Sequence, residues 1–233
     1  MVGSVVSALA DLVLPRTCAG CGTPGAVLCR SCAALLARPR LATPRRFPEG
    51  FPPTVAAAGY RGPVRPAVIA FKERGRAELA RPLGTALALA VAAVASGVPG
   101  AAGPLLLVPV PSSRAALRSR GRDHVRELTR RAVAELRAAG VPAVEARLLR
   151  RRGRVQDSAG LSTVARRANL AGSFALDDRV RPGCPGLLIL VDDVVTSGAT
   201  LTEAAAVLAR RTSPDGPPVL AAVVAATPRR APA

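Results

Sequence analysis

Leu187-Leu188-Ile189-Leu190-Val191 are five apolar residues in succession, and acidic, hydroxylic and small residues follow as Asp192-Asp193-Val194-Val195-Thr196-Ser197-Gly198-Ala199-Thr200. So short an all-apolar run suits a strand covered on both faces. Ala199 to Arg210 has helical composition, so the pattern reads strand, turn, helix. Further apolar strands are predicted at Val55 to Tyr60, Leu105 to Val108, Val144 to Leu149 and Val219 to Ala225. Helices are predicted at Val64 to Arg74, with Val64, Val68 and Phe71 on one face, at Ala77 to Ser96 and at Asp123 to Ala139. Val2, Val5, Val6, Leu9, Leu12 and Val13 recur at helical spacing and predict a short amphipathic helix. Strands alternating with helices predict an α/β fold with a parallel sheet flanked by helices.

Pro39, Pro44, Pro48, Pro52 and Pro53 interrupt this pattern and mark residues 38–53 as a linker. The expected organisation is an N-terminal unit over 1–37, the linker, a main domain over 54–226 and a flexible tail over 227–233. The longest apolar stretch, around Leu83 to Val110, is broken by Gly97, Pro99, Gly100, Gly103 and Pro104, so no membrane span is expected. Residues 2–14 lack a basic n-region, which reads as a cytoplasmic protein without a signal peptide.

The chain has 233 residues and a formal charge of +18, which alone would raise nucleic acid or anionic phosphate ligands as partners. The excess is almost all arginine: Lys72 is the single lysine among 33 basic residues. Coding bias in a GC-rich genome gives that pattern without any ligand. Aromatic residues make up 2% of the chain and leave few platforms for stacking bases.

Four of the five cysteines form two Cys-x-x-Cys knuckles, Cys18 with Cys21 and Cys29 with Cys32. Such knuckles direct four thiolates at one ion in tetrahedral geometry, and a shell closed by sulfur makes the expected Zn²⁺ structural. Two disulfides would need an oxidising compartment, and a redox dithiol would not need two copies. Cys184 stands alone in a Pro-Gly loop and reads as a bystander.

At the carboxyl end of the strand over 187–191, the amides of Thr196, Ser197, Gly198, Ala199 and Thr200 can converge on a phosphate at a helix N-terminus, with three hydroxyls as further donors. Gly198 removes a Cβ that would obstruct that approach. Asp192 and Asp193 would repel the phosphate unless they face sugar hydroxyls or a magnesium-bound ligand, and a ribose phosphate meets both demands. No Gly-Lys-Ser/Thr follows, so this is not a P-loop. Pro109-Val110-Pro111 ends another strand before Ser112, Ser113 and Arg114, which offer hydroxyls, amides and a guanidinium to a pyrophosphate. Arg150-Arg151-Arg152-Gly153-Arg154 opens a cationic loop. His124, the only histidine, lies early in a helix and is assigned no acid-base role.

The Val191 to Leu201 turn resembles the phosphoribosyl-pyrophosphate (PRPP) loop of type I phosphoribosyltransferases. With the cysteine knuckles, Ala67 to Arg76, Val108 to Pro111, Arg120-Gly121, Gly160-Leu161-Ser162 and Arg166 to Phe174, it makes nearly the whole chain similar to the ComF family. The resemblance implies a type I phosphoribosyltransferase fold with a four-cysteine zinc module. It implies binding of PRPP with Mg²⁺ and transfer of the phosphoribosyl group to a nitrogen nucleophile, releasing pyrophosphate. Asp192 and Asp193 would then hold ribose hydroxyls, Thr196 to Thr200 the 5-phosphate and Ser112 to Arg114 the pyrophosphate. Arg152 and Arg154 would close over the leaving group, and Lys72, falling inside a family motif, would serve catalysis. The other reading the resemblance implies is a non-catalytic accessory of single-stranded DNA uptake that contacts uptake proteins or the DNA. A homodimer is expected by fold analogy alone. The chain departs from the family at Arg122-Asp123-His124, where an aromatic and an amide pair are usual, and at Ser158, where a glutamine is usual.

Overall fold

The apolar runs become strands of one sheet. A computed structural model describes residues 16–44, 48–98, 103–152, 172–179, 186–212 and 217–228. The expected helix over 2–14, Arg154, Ser158, residues 160–171, Cys184 and residues 229–233 lie outside that range. The elements in chain order are α1 (Arg30–Leu35), β1 (Arg40–Leu41), β2 (Thr54–Gly59), α2 (Val64–Glu73), a 3-10 turn (Ala77–Leu79) leading into α3 (Ala80–Ala95), β3 (Leu105–Pro109), α4 (Arg114–Arg120) and α5 (His124–Ala138). Then come β4 (Ala143–Glu145), β5 (Leu149–Arg151), β6 (Phe174–Leu176), β7 (Leu187–Val195), α6 (Ala199–Leu208) and β8 (Leu220–Ala226).

Six strands form a mostly parallel sheet in the order β1-β2-β8-β7-β3-β4, in which only the β1–β2 pairing is antiparallel. β5 and β6 make a separate two-stranded antiparallel sheet. Side chains alternate across the sheet with period two, so each central strand feeds two cores. Leu107, Ile189, Val191 and Ala222 pack with α3 and α5, while Leu106, Val108, Leu188 and Leu190 pack with α6 and Phe174. Such all-apolar strands are stable only when both faces are covered, and each fully buried leucine contributes about 1.5–3 kcal/mol. Where α3 crosses α5 the helices touch at Gly84, whose Cβ would lie 2.3 Å from the Cβ of Arg131.

Neighbouring strands β3 and β7 run in register from Leu105↔Leu187 to Pro109↔Val191. β3 continues through α4 and α5 on one face toward β4, and β7 continues through α6 on the other face toward β8. The two connections therefore diverge and leave a crevice at the carboxyl ends of β3 and β7, the place where open α/β sheets hold ligands.

Two strand expectations are corrected. The strand read as ending at Val191 runs on to Val195, because Val194 and Val195 pair with Ala225 and Ala226 of β8; the acidic pair is therefore within the strand. The strand expected over 144–149 is two strands, since β4 pairs with β3 while Leu149 turns away to pair with Leu176. The 38–53 linker contains β1, whose Arg40 and Leu41 pair with Ala56 and Val55, and Ala42 and Phe51 are buried in the core. By length and composition alone Ala77–Ala95, 19 residues with mean hydropathy 1.4, is apolar enough to cross a membrane, a test that the core helix of a globular domain also passes. Its Leu83, Leu87 and Val91 pack into the main core.

Candidate functional site

The cysteine unit brings the Sγ atoms of Cys18, Cys21, Cys29 and Cys32 within 4.8 Å of one another. A tetrahedral Zn²⁺ shell with bonds near 2.3 Å has sulfur–sulfur edges of about 3.8 Å; Cys21 and Cys29 are 3.6 Å apart, so the thiols fit one metal ion. All four are free cysteines. Burial opposes ionisation of Cys18, but amide donors led by the Cys29 N–H, 3.3 Å from its Sγ, outweigh it and lower the thiol to about 6. Burial, with the three neighbouring thiols, pushes Cys32 up. The Thr23 hydroxyl and amide lower Cys21. A cation among the sulfurs removes the crowding that holds Cys32 protonated.

This unit is built onto the α/β domain at both ends of α2. A Cβ on Gly20 would meet the carbonyl oxygen of Pro63, the N-cap of α2, and the Sγ of Cys32, each at 2.9 Å. Beyond the other end of α2, Arg76 Nη1 donates to the Thr17 carbonyl at 3.0 Å. Ala19, Val27, Leu28 and Leu36 pack into the core that holds Val64, Val68 and Phe71.

The crevice is dominated by Asp192 and Asp193, which strand alternation sends to opposite faces. Asp193 follows Ile189 and Val191 toward α2 and α5. Its side chain is 4% exposed, and its Oδ2 lies 2.7 Å from Lys72 Nζ and 3.1 Å from His124 Nε2. Its Oδ1 accepts the Val194 N–H at 2.7 Å. Despite burial, the His124 hydrogen bond and the Lys72 charge hold its carboxyl well below the usual carboxylate range. Burial works against the Lys72 ammonium too, but Asp193 and then Asp192 outweigh it and raise its pKa.

Asp192 takes the other face and is partly exposed. It accepts the Asp193 N–H at 2.8 Å and has no ion pair closer than 4.0 Å among the described residues. Burial and the adjacent Asp193 charge push it up to about 8. With residues 194–201 it lines a shallow space of about 220 Å³. Thr196 is exposed there, Ser197, Ala199 and Thr200 are partly exposed and Gly198 is buried. The first-turn N–H groups of α6 have no intrahelical partners. Gly198 is required for packing as well as for openness: its φ is 80°, and a Cβ would lie 2.8 Å from the Phe51 ring.

On the β3 side, Ser113 caps α4 by accepting the Ala116 N–H at 3.1 Å. Ser112 donates to Asp123 Oδ1 at 3.4 Å, Asp123 itself caps α5 by accepting the Arg126 N–H, and Arg114 is exposed. The arginine that turns inward is Arg151. Its Nε donates to the Pro111 carbonyl at 3.0 Å, its guanidinium stacks 4.9 Å from the Phe174 ring centroid, and it feels the charge of Asp192. Burial lowers its pKa. Arg152, favoured by the sequence, is exposed and bonds through its backbone N–H to the Ser173 carbonyl at 2.8 Å. Three consecutive arginines hide strand parity, so the sequence could not say which of them faces in.

The sequence reading also passed over His124. It is 3% exposed and stands edge-on to Phe71, with ring centroids 6.3 Å apart. Its neighbour Arg122 lies over that ring at 4.4 Å and pairs with Glu127. The usable signal was the Asp123 cap, which fixes His124 at the first turn of a helix starting beside the crevice. No family model matches the chain, and no curated protein matches it.

Proposed function

We propose that the crevice between β3 and β7 binds PRPP with Mg²⁺ and that the chain transfers the 5-phosphoribosyl group to a nitrogen nucleophile, releasing pyrophosphate. The observation that carries this reading is the juxtaposition at one topological switch point of a carboxyl, Asp192, an open turn over 196–200 at a helix N-terminus, and the cations Lys72 and Arg151. An open turn at a helix N-terminus, a crevice-facing carboxyl and the Arg151 guanidinium within reach of that carboxyl's charge are the groups that the phosphate, ribose and pyrophosphate of such a donor call for. Displacement through an oxocarbenium-like transition state asks little covalent help of the protein; it asks for a fixed donor and neutralised charge on the departing group.

In this reading the α6 amides and the Thr196, Ser197 and Thr200 hydroxyls hold the 5-phosphate, and Asp192 accepts from ribose hydroxyls. Arg151, together with the Ser112–Arg114 segment, faces the pyrophosphate, whose charge Mg²⁺ offsets when bound. The closed sulfur shell takes Zn²⁺ as a structural ion. The family-level reading as a ComF-type phosphoribosyltransferase rests on the sequence motifs, and the contacts of Arg151 with Pro111 and Phe174 support its part in it.

Calorimetry with Mg-PRPP tests it. Binding at sub-millimolar ligand is expected, with roughly 10- to 100-fold weakening in Asp192→Asn. No heat of binding by the wild-type chain at millimolar Mg-PRPP would reject the proposal. Pyrophosphate release in a screen of nucleobases, amines and ammonia would then identify the acceptor.

A further inference from the structure

The adjacent carboxyls have unlike surroundings. Asp193 has both oxygens engaged within the protein, Oδ1 with the Val194 N–H and Oδ2 with Lys72 and His124. Those partners come from α2 and α5, so three chain segments meet at one carboxylate. Of the three side chains only Lys72 reaches solvent, at 30% exposure against 4% for Asp193 and 4% for His124. A ligand hydroxyl could reach Asp193 only by displacing a contact, and uncovering a buried charge pair is costly. Asp192 faces the crevice, and its Oδ1 accepts the Asp193 N–H.

His124 is oriented for this role. Its Nδ1 is buried without a hydrogen-bond partner among the described residues, beside the Phe71 ring, while Nε2 faces the carboxylate. An acceptor lone pair left unpaired in an apolar wall costs less than an N–H opposing no acceptor, so the proton belongs on Nε2, where it donates to Asp193.

Building on the proposed donor site, we infer that the acidic pair divides its labour: Asp192 alone contacts the ribose, while His124 and Lys72 are positioning residues that lock Asp193 in the interior as the peg fixing the Asp192 backbone. The ladder is direct, since the Asp193 N–H holds Asp192 Oδ1 at 2.8 Å. A shift in Asp193 is thereby a shift in the carboxyl that meets the sugar. Pairing of both carboxyls with ribose hydroxyls, as read from the sequence, is replaced by one contact and one anchor.

The single histidine makes the test clean, because the ¹⁵N spectrum of imidazole-labelled protein contains one ring. In the ligand-free wild type the Nε2–H tautomer is expected, and an Nδ1–H tautomer overturns the inference. Asp193→Asn should shift the Nε2 resonance, whereas Asp192→Asn should leave it in place. The reverse ranking overturns the inference. Saturating Mg-PRPP should leave Nε2 near its free position and bind roughly 10- to 100-fold more weakly to Asp192→Asn. An Nε2 resonance that moves on ligand addition as far as it does in Asp193→Asn would mean that Asp193 leaves His124 for the sugar. Should Asp193→Asn not fold, the tautomer and the His124→Gln variant decide: Gln keeps a donor and should bind Mg-PRPP more tightly than His124→Phe, and equal loss overturns the role. If the wild-type chain binds no Mg-PRPP, the donor-site proposal fails, while the tautomer and the ranking of the two Asn variants still judge whether Asp193 is locked to His124.

Discussion

Lys72 Nζ lies 2.7 Å from Asp193 Oδ2, which puts the only lysine of an arginine-rich chain on the interior member of the acidic pair. Arg120 holds the neighbouring Glu73 through two contacts of 3.0 and 2.9 Å, fixing the end of α2 from which Lys72 extends. Lys72→Met should leave a buried carboxylate without its cation and cost about 1–3 kcal/mol in urea unfolding at neutral pH, discounted for the partial exposure of the lysine. The Lys72 pKa is raised, so its contribution is complete below the ordinary lysine range and is lost as pH rises through the elevated value. Wild type and Lys72→Met should therefore stay apart around neutral pH and converge only at the extremes, in strong alkali as Lys72 loses its proton and in strong acid as Asp193 gains one. A gap that closes at neutral pH would contradict the pair's assigned role.

Asp192 predicts the opposite slope. Its carboxyl is raised from 3.8 to about 8, so its ionised form works against the fold. Below the unfolded value both states are protonated and no penalty exists; the penalty grows as pH rises from about 4 to 8 and is complete above that. Asp192→Asn should thus be neutral in acid and stabilising by about 1–3 kcal/mol above pH 8. Melting temperatures of both proteins across pH 4 to 9 check the trend, and a constant difference refutes it.

The thiol cluster predicts metal dependence. Elemental analysis should return about one zinc per chain. Chelation should remove about 4 kcal/mol of apparent stability where free metal had exceeded its Kd a thousandfold. Because the cysteine unit clamps both ends of α2, metal loss should also loosen Lys72. Amine acylation, read by mass spectrometry at the sole lysine, should accelerate in the chelated protein, and an unchanged rate would separate the two sites.

Gly198→Ala should destabilise the chain by about 1–3 kcal/mol, since it combines a left-handed φ of 80° with a Cβ 2.8 Å from the Phe51 ring. Phe51→Leu in the same background should restore part of the loss by removing the clash while leaving the backbone strain. Thermal unfolding of the single and double variants measures the split; full restoration would mean that φ contributes nothing.

Much of the sheet was legible because five strands are short apolar runs and period-two burial needs no tertiary knowledge. Leu187 to Val191 announced a central strand, and the hydroxyls after it announced the crevice. Residues whose role depends on long-range meeting were not legible. His124 lies 69 positions from Asp193 in sequence, and nothing local marks the encounter. Phe51 sat in a proline-rich stretch that reads as linker, yet its ring covers Gly198. Arg151 was hidden by identical neighbours, since only pairing with Phe174 sets which arginine faces in. The strand end was misplaced because Asp192 and Asp193 look like turn residues, although the β8 ladder carries the chain past them.

The contact of Gly20 with Pro63 bears on how this chain can be cut. A boundary at Thr54 looks natural in the sequence, but the cysteine unit forms part of the wall over Val64, Val68 and Phe71. A fragment beginning at Thr54 would lose Leu36, Ala19, Val27 and Leu28 from that wall, together with the antiparallel edge strand that shields β2. Such a fragment would present a bare apolar flank beside an open strand edge, the combination that drives self-association. The four-thiol unit is thus a keystone of the domain, and a cut at Thr54 divides a shared core rather than a linker.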